Sequence, residues 1–429
     1  MIVRTTAIEE ADHNPLRQLA HAPVVGLVYL AVLFFCLFPY VQLITLSSYT
    51  QPYGFLSAAM LAMLWPSTIP RLPKLDLVFL VYIASLGCVM FSIEFVRALD
   101  LREVGFLLSY LTPLVTTAAC YAFIRRSPDL VRKCVIYSIF AWLGVSVLQY
   151  LISPTFLTFL VTSNSELGSD IVASGRGVIG LAPEPTHAAF HIILLGAVVA
   201  FLGGPLWVTL MAFCSTILVY RSASAILVFV IALIIWGLLR PFWRSWILCA
   251  LIFGAVVARP LTNLFGESTR IGRLLAQLYD GGIGLFLEDY STNIRLAGMF
   301  MPIYHEFKNF LTPQGMAIER WGEIRAEILP QYSWIMDLSG AGPASGWGLF
   351  IVQGGFLGVP IVIYCAYRFF GLRDVVLSYL AVACFVVFMN QFYVSTPAFG
   401  LVLAAILYSG RRNKSAGAGE NQPPAGNNS

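Results

Sequence analysis

Residues 24–43 read VVGLVYLAVLFFCLFPYVQL, with no charged side chain among them. At about 1.5 Å of rise per residue, a helix of this length covers the roughly 30 Å hydrocarbon core of a bilayer. Hydrocarbon offers no water to free backbone N–H and C=O groups, so a spanning run of this kind has to be helical. Eleven further apolar stretches follow: 53–65, 77–92, 104–123, 134–152, 186–202, 206–220, 223–239, 246–258, 346–367, 375–391 and 398–407. The expectation is an all-α polytopic membrane protein of about 12 transmembrane helices, with the second and last stretches short.

Composition agrees. Apolar residues make up 58% of the 429, charged residues 11%, and the mean hydropathy is +0.79. A soluble domain carries about a quarter charged residues. The first residues are polar and no small-residue cleavage site follows the first apolar run, so no cleavable leader is expected. Residues 1–23 read as a cytoplasmic segment, 24–408 as the transmembrane domain, and 409–429, rich in Gly, Asn, Pro and Ser, as a disordered cytoplasmic tail.

Lysine and arginine placement sets the orientation. With the N-terminus inside, short inner segments hold 15 of them and short outer segments only Arg97, Arg102, Arg176 and Arg221. Both termini are therefore expected in the cytoplasm. Two polar loops then face outward: 153–183, and a large helical loop, 259–343, between the ninth and tenth spans. The net charge of +4 is largely this orientation signal, and nucleic acid is not an expected partner. All eight cysteines fall in or beside apolar stretches and none lies in an outer loop, which excludes a disulfide framework there. No Cys/His spacing suits a metal, and no metal or cofactor is expected.

The outer loops carry the chemistry. Ser174-Gly175-Arg176-Gly177 leads into Ala182-Pro183-Glu184-Pro185-Thr186-His187. Pro185 suits the first turn of a helix, where a missing N–H costs nothing. That helix end is positive, so it favours anions and keeps Glu184 ionised. Glu184, His187 and His191 fall on one stripe, either a polar seam between helices or part of a site. Arg221 opens Arg221-Ser222-Ala223-Ser224-Ala225, as a third cation of the outward cavity or as an interfacial arginine. In the long loop, 268–279 reads as a short helix. Ser291 or Thr292 caps a second that runs towards Leu311, with Pro302 as a kink and Arg295 in its first turn. A cation there makes sense when an anion binds beside it. His305 and Glu306 lie farther along. A third helix, 318–329, places Ile318, Trp321, Ile324 and Ile328 on one face and is expected on the membrane surface.

In this order the motifs resemble the polysaccharide polymerase and ligase superfamily: Wzy-type O-antigen or exopolysaccharide polymerases and O-antigen ligases. The resemblance runs from Arg176 to Gly358. It rests on Arg176 with Gly-Leu-Ala-Pro-Glu-Pro-Thr, the Arg-Ser-Ala-Ser-Ala turn at Arg221, Ser-Thr-Asn-Ile-Arg ending at Arg295, Asn309 to Gly315, and Gly346-Trp347-Gly348 followed by Gln353-Gly354-Gly355-Phe356-Leu357-Gly358. It implies metal-independent transfer of a glycan from an undecaprenyl-diphosphate carrier on the outer face of a bacterial inner membrane. It also implies membrane lipid, a chain-length regulator and a flippase as partners. The ligase branch has a histidine late in the long loop. Residues 333–345 have none here, which favours a polymerase.

Such a reaction needs cations at the leaving diphosphate and a base at the acceptor hydroxyl. Arg176, Arg221, Arg295 and His187 are the expected substrate-binding residues, with Glu184 or His305 as base. A transporter or exporter of glycan or lipid is the reading from another class. Transporters place ionisable groups near the midplane, whereas here they gather at the outer surface.

Overall fold

The computed structural model describes residues 23–43, 51–64, 66, 72–98, 104–162, 167–173, 176–240, 290–338, 343, 345–390 and 394–419. The expected span 246–258, the short helix 268–279 and the ends of the chain lie outside these residues. Among the described residues the fold is all helical. The helices are α1 Pro23–Leu37, α2 Tyr53–Leu64, α3 Lys74–Ala98, α4 Val104–Arg126, α5 Pro128–Leu151, α6 Leu167–Ala173, α7 Pro185–Phe201, α8 Leu206–Leu218 and α9 Ala223–Leu239. After the long loop begins come α10 Tyr290–Lys308 and α11 Ile318–Ile328. The last four are α12 Gly346–Gly354, α13 Val359–Phe370, α14 Val375–Met389 and α15 Pro397–Gly419.

Among the described residues three helices, within α3 and across α4 and α5, are long and apolar enough to cross a membrane, and eight shorter ones are apolar. This is the makeup of a helical membrane protein. Only 39% of the α3 span and 33% of α5 is buried, against 72% of α4. So α3 and α5 form the rim and α4 the interior. On the rim, Val78, Tyr137 and Leu151 stand exposed, as side chains facing lipid do.

The middle of the bundle is α7, which packs on α5, α8, α9, α14 and α15. Nearly all its residues are buried, as expected of a helix that is apolar all round. Lipid tails are as apolar as leucine, so close packing rather than burial from water holds such helices together. Small residues permit it: a side chain added at Gly400 of α15 would fall 2.1 Å from the Thr116 hydroxyl of α4.

Leu37, the last residue of α1, leaves its carbonyl without a partner in its own helix. The indole of Trp142 donates to it at 3.0 Å and His191 Nε2 at 2.8 Å. His191 is thus part of a polar seam joining α1, α5 and α7, with its ring 5.0 Å from that of Trp142.

Four expectations need correction. The stretch 346–367 is not one continuous helix. It breaks after α12 into a 3-10 turn at Gly355–Leu357 before α13 starts. Gly355 has φ 53° and ψ −130°, a conformation open essentially to glycine alone. The carbonyls freed at the break are taken by the long loop: Gln314 N–H donates to Val352 O and Gly315 N–H to Gln353 O, at 3.2 and 3.0 Å. Phe356 N–H returns a bond to Leu311 O at 2.8 Å. Second, α10 begins by Tyr290, so Ser291 and Thr292 lie inside it and Arg295 sits past the first turn. Third, the apolar face of α11 is covered by protein. Trp321, Ile324 and Ile328 pack with Ala297, Met301, Leu338 and Val352 in a small second core. Fourth, the tail is not irregular from 409, because α15 continues to Gly419.

Candidate functional site

The site is built at the start of α7. Glu184 is its N-cap residue in an extended conformation, with Pro185 next, and its side chain does not bond the helix's own N–H groups. The carboxylate turns instead to two arginines. Arg176 Nη2 donates to Glu184 Oε2 at 3.2 Å. Arg295 Nη2 lies 3.8 Å from the same oxygen and donates to Thr186 Oγ1 at 3.1 Å. Residues from the short loop, the long loop and α7 therefore meet at one carboxylate oxygen.

Each cation is placed by local structure. Arg176 follows α6, and its N–H bonds Ile171 O at 3.3 Å. The loop behind it is held by Gln149 of α5, whose amide donates to Gly180 O at 3.0 Å and accepts from Gly180 N–H at 2.8 Å. Arg295 is fixed by its neighbour Asn293, which donates to Trp334 O at 2.6 Å and accepts from Met336 N–H at 2.9 Å. These bonds tie α10 to the segment after α11, leaving Arg295 buried at the base of the loop. Gln149, Thr186 and Asn293 were not singled out as site residues from sequence. A glutamine in an otherwise apolar helix is a signal that could have found Gln149, since buried polar groups are rarely idle.

The electrostatics follow from this geometry. Burial pushes the Glu184 carboxyl up, but the charges of His187, Arg176 and Arg295 outweigh it and hold the group below its ordinary range. Glu184 is therefore an anion locked between cations, and a weak base while they stay. His187, one turn along, stands edge-on to Tyr40, with ring centroids 6.0 Å apart.

Arg221 is not paired with Glu184. Its guanidinium lies 5.7 Å above the Tyr150 ring, and its backbone has φ 47°. The adjacent Tyr220 backbone touches Gly177, so Arg221 borders the cluster without joining it.

His305 does not share the site. It stands ten residues beyond Arg295 on α10, about 15 Å by helical rise. Its Nδ1 lies 3.3 Å from Glu306 Oε1 and its Nε2 3.1 Å from Glu327 Oε2. A general base needs an open acceptor within reach of its proton, and both ring nitrogens are already engaged. Burial raises the Glu306 carboxyl above its ordinary range, with His305 and Gln314 offsetting part of the rise. This group braces α10 against α11.

Among the described residues no cluster of three or more His, Cys, Asp or Glu is placed to hold a metal. What the Glu184 cluster can do is hold an anion: two guanidiniums, a hydroxyl and a helix N-terminus converge where a carboxylate now sits. No family model, no curated protein and no solved structure matches the chain.

Proposed function

We propose that the protein is a polysaccharide polymerase. It would transfer a glycan from an undecaprenyl-diphosphate carrier to the hydroxyl of another lipid-linked repeat unit, on the outer face of the bacterial inner membrane. The observation that carries this reading is the convergence of Arg176 and Arg295 on Glu184 Oε2. Arginine offers a planar fork of donors suited to diphosphate, and the pair lies where the sequence puts the outer surface.

In this reading Glu184 fills the anion position until donor arrives. The donor's diphosphate takes over the guanidiniums of Arg176 and Arg295. Freed of them, the Glu184 carboxylate becomes a stronger base. The acceptor hydroxyl oxygen attacks the anomeric carbon and gives its proton to Glu184. The bond between that carbon and the diphosphate oxygen breaks, and the arginines stabilise the charge that develops on the leaving group. Fixed donors of this kind are worth about 10²–10³ in rate each. Glu184 later returns its proton to water, and none of these steps requires a metal. Arg221 and His187 flank the glycan.

A second reading is export of a glycan or lipid. It draws on the break at Gly355 between α12 and α13, since discontinuous helices recur in transporters. The bonds from 314 and 315 tie that break to the outer loop, which suits a fixed scaffold better than a moving gate.

The test is a strain lacking the protein, with its lipid-linked glycans extracted and sized. A polymerase leaves single repeat units on the outer leaflet. An exporter leaves them on the inner leaflet, and a ligase leaves full-length polymer attached to its carrier.

A further inference from the structure

The long loop carries an apolar edge that stays bare among the described residues. On α10, Leu296, Phe300, Ile303 and Phe307 recur at the spacing of one helical stripe. The stripe lies beside the face that Ala297 and Met301 turn to α11. Phe300 is 43% exposed, Phe307 59%, and Phe310, in the turn that follows, 93%. Phe310 and Leu311 have φ of 56° and 54°, uncommon for bulky side chains. Protein bonds hold that turn: Leu311 N–H donates to Glu306 O at 2.7 Å, and the Thr312 hydroxyl to Asn309 O at 2.9 Å. The aromatic edge is thus built into the fold.

The same edge continues the exposed rim of α3. Phe356, itself exposed, donates its N–H to Leu311 O at 2.8 Å. Its neighbour Leu357 accepts from the Tyr82 hydroxyl of α3 at 2.7 Å. A side chain added at Gly354 would meet a Leu86 methyl at 3.6 Å, and Leu86 is the middle residue of α3. The turn at Phe310 is therefore joined to the middle of a helix long and apolar enough to cross a membrane. Val78, Tyr82, Val89 and Ile93 share one face of that helix, and the three aliphatic residues are exposed. Leu357, Phe356 and Phe310 extend this bare face onto the long loop. Single exposed apolar residues mean little, but a contiguous apolar surface marks a contact.

We infer that the acyl chains of bilayer lipid cover this edge, so that the end of α10 and the turn at Phe310 are embedded beside α3. The charge pattern agrees. No residue of the edge is charged, as hydrocarbon requires. Lys308 donates to Gln331 Oε1 at 3.0 Å, towards the segment that follows α11. Glu319 and Glu323 are exposed on α11, opposite the Trp321 and Ile324 face that packs on α10. Lipid and water then meet different sides of the helix pair. The edge shares no residue with the Glu184 cluster, and the inference stands apart from the polymerase reading.

The experiment uses the full, unaltered chain in vesicles of dioleoylphosphatidylcholine. A fraction of the lipid carries a photoreactive diazirine in its acyl chain. After irradiation, lipid adducts are mapped by peptide mass spectrometry. Phe300, Phe307 and Phe310 should be labelled within a few-fold of Val89 and Ile93 on α3, and many-fold above Glu319 and Glu323. Adducts on α3 with none on Phe300, Phe307 or Phe310 overturn the inference. Hydroxyl-radical footprinting of the same vesicles then names the occupant: oxidation of Phe307 and Phe310 means water at the edge, and protection of both means a second copy of the chain.

Discussion

Arg295 of α10 donates to the Thr186 hydroxyl in the first turn of α7 at 3.1 Å, across 109 positions of sequence. The bond fastens the long loop to the central helix through the same guanidinium that faces Glu184. Thr186→Val keeps the shape of the side chain and removes only this acceptor. A hydrogen bond to a charged group is worth about 1.5–3 kcal/mol, so the fold should survive with a lower thermal midpoint. Activity should fall several-fold, because Arg295 loses its aim while keeping its charge. Scanning fluorimetry and a polymer gel check the two halves.

Glu184→Gln should retain donor binding and lose turnover by about 10²-fold or more, if the carboxylate takes the acceptor's proton. The same variant reports on charge. The folded-state pKa of Glu184 is lowered from its ordinary 4.5. The stability it contributes is therefore fully present above that value and is lost as pH falls through the lowered one. Thermal midpoints measured from pH 7 down to pH 3 should fall more steeply in the wild type than in Glu184→Gln below about pH 4.5. Parallel curves would mean that the arginines do not hold Glu184 as described.

His305→Gln separates scaffold from chemistry. The ring braces α10 through Glu306 and Glu327 and stands about 15 Å from Arg295 by helical rise. The variant should unfold at a lower temperature while each folded molecule turns over within a few-fold of wild type. Loss of turnover with an unchanged midpoint would return the base role to His305.

Gly355→Ala strikes the join between long loop and bundle. Its φ of 53° is strained for alanine, at about 1–3 kcal/mol. A Cβ there would also lie 2.3 Å from Leu311 O and 2.5 Å from Pro313 N. The thermal midpoint should drop, and protease cleavage near 311–315 should appear in the variant first. An unchanged midpoint would show that the loop does not need this docking.

Much of this fold was legible because hydropathy is a local signal. Ala223–Leu239 was read to the residue, and Pro185 marked the start of α7 as its missing N–H requires. Arg176 and Glu184 lie eight residues apart and could be paired from sequence. The remaining site geometry is long-range. Nothing local in 290–308 says that Arg295 meets α7, and the hold of Gln149 on the loop at Gly180 spans 31 positions. The face of α11 was read correctly as apolar, but periodicity cannot tell a neighbouring helix from a membrane. The break at Gly355 was hidden because a run of apolar and glycine residues looks the same whether or not a loop takes up its carbonyls.

The central claim is that Arg176 and Arg295 bind the donor's diphosphate together. Its most direct measurement uses purified wild type, Arg176→Ala and Arg295→Ala with lipid-linked repeat units, reading bound donor and the polymer ladder from the same samples. Both variants should fold, bind donor about 10-fold or more weakly, and give almost no ladder. Lysine at either position should restore only part of it, since a point charge cannot replace the planar fork. Normal donor binding and a normal ladder from both alanine variants would contradict the account.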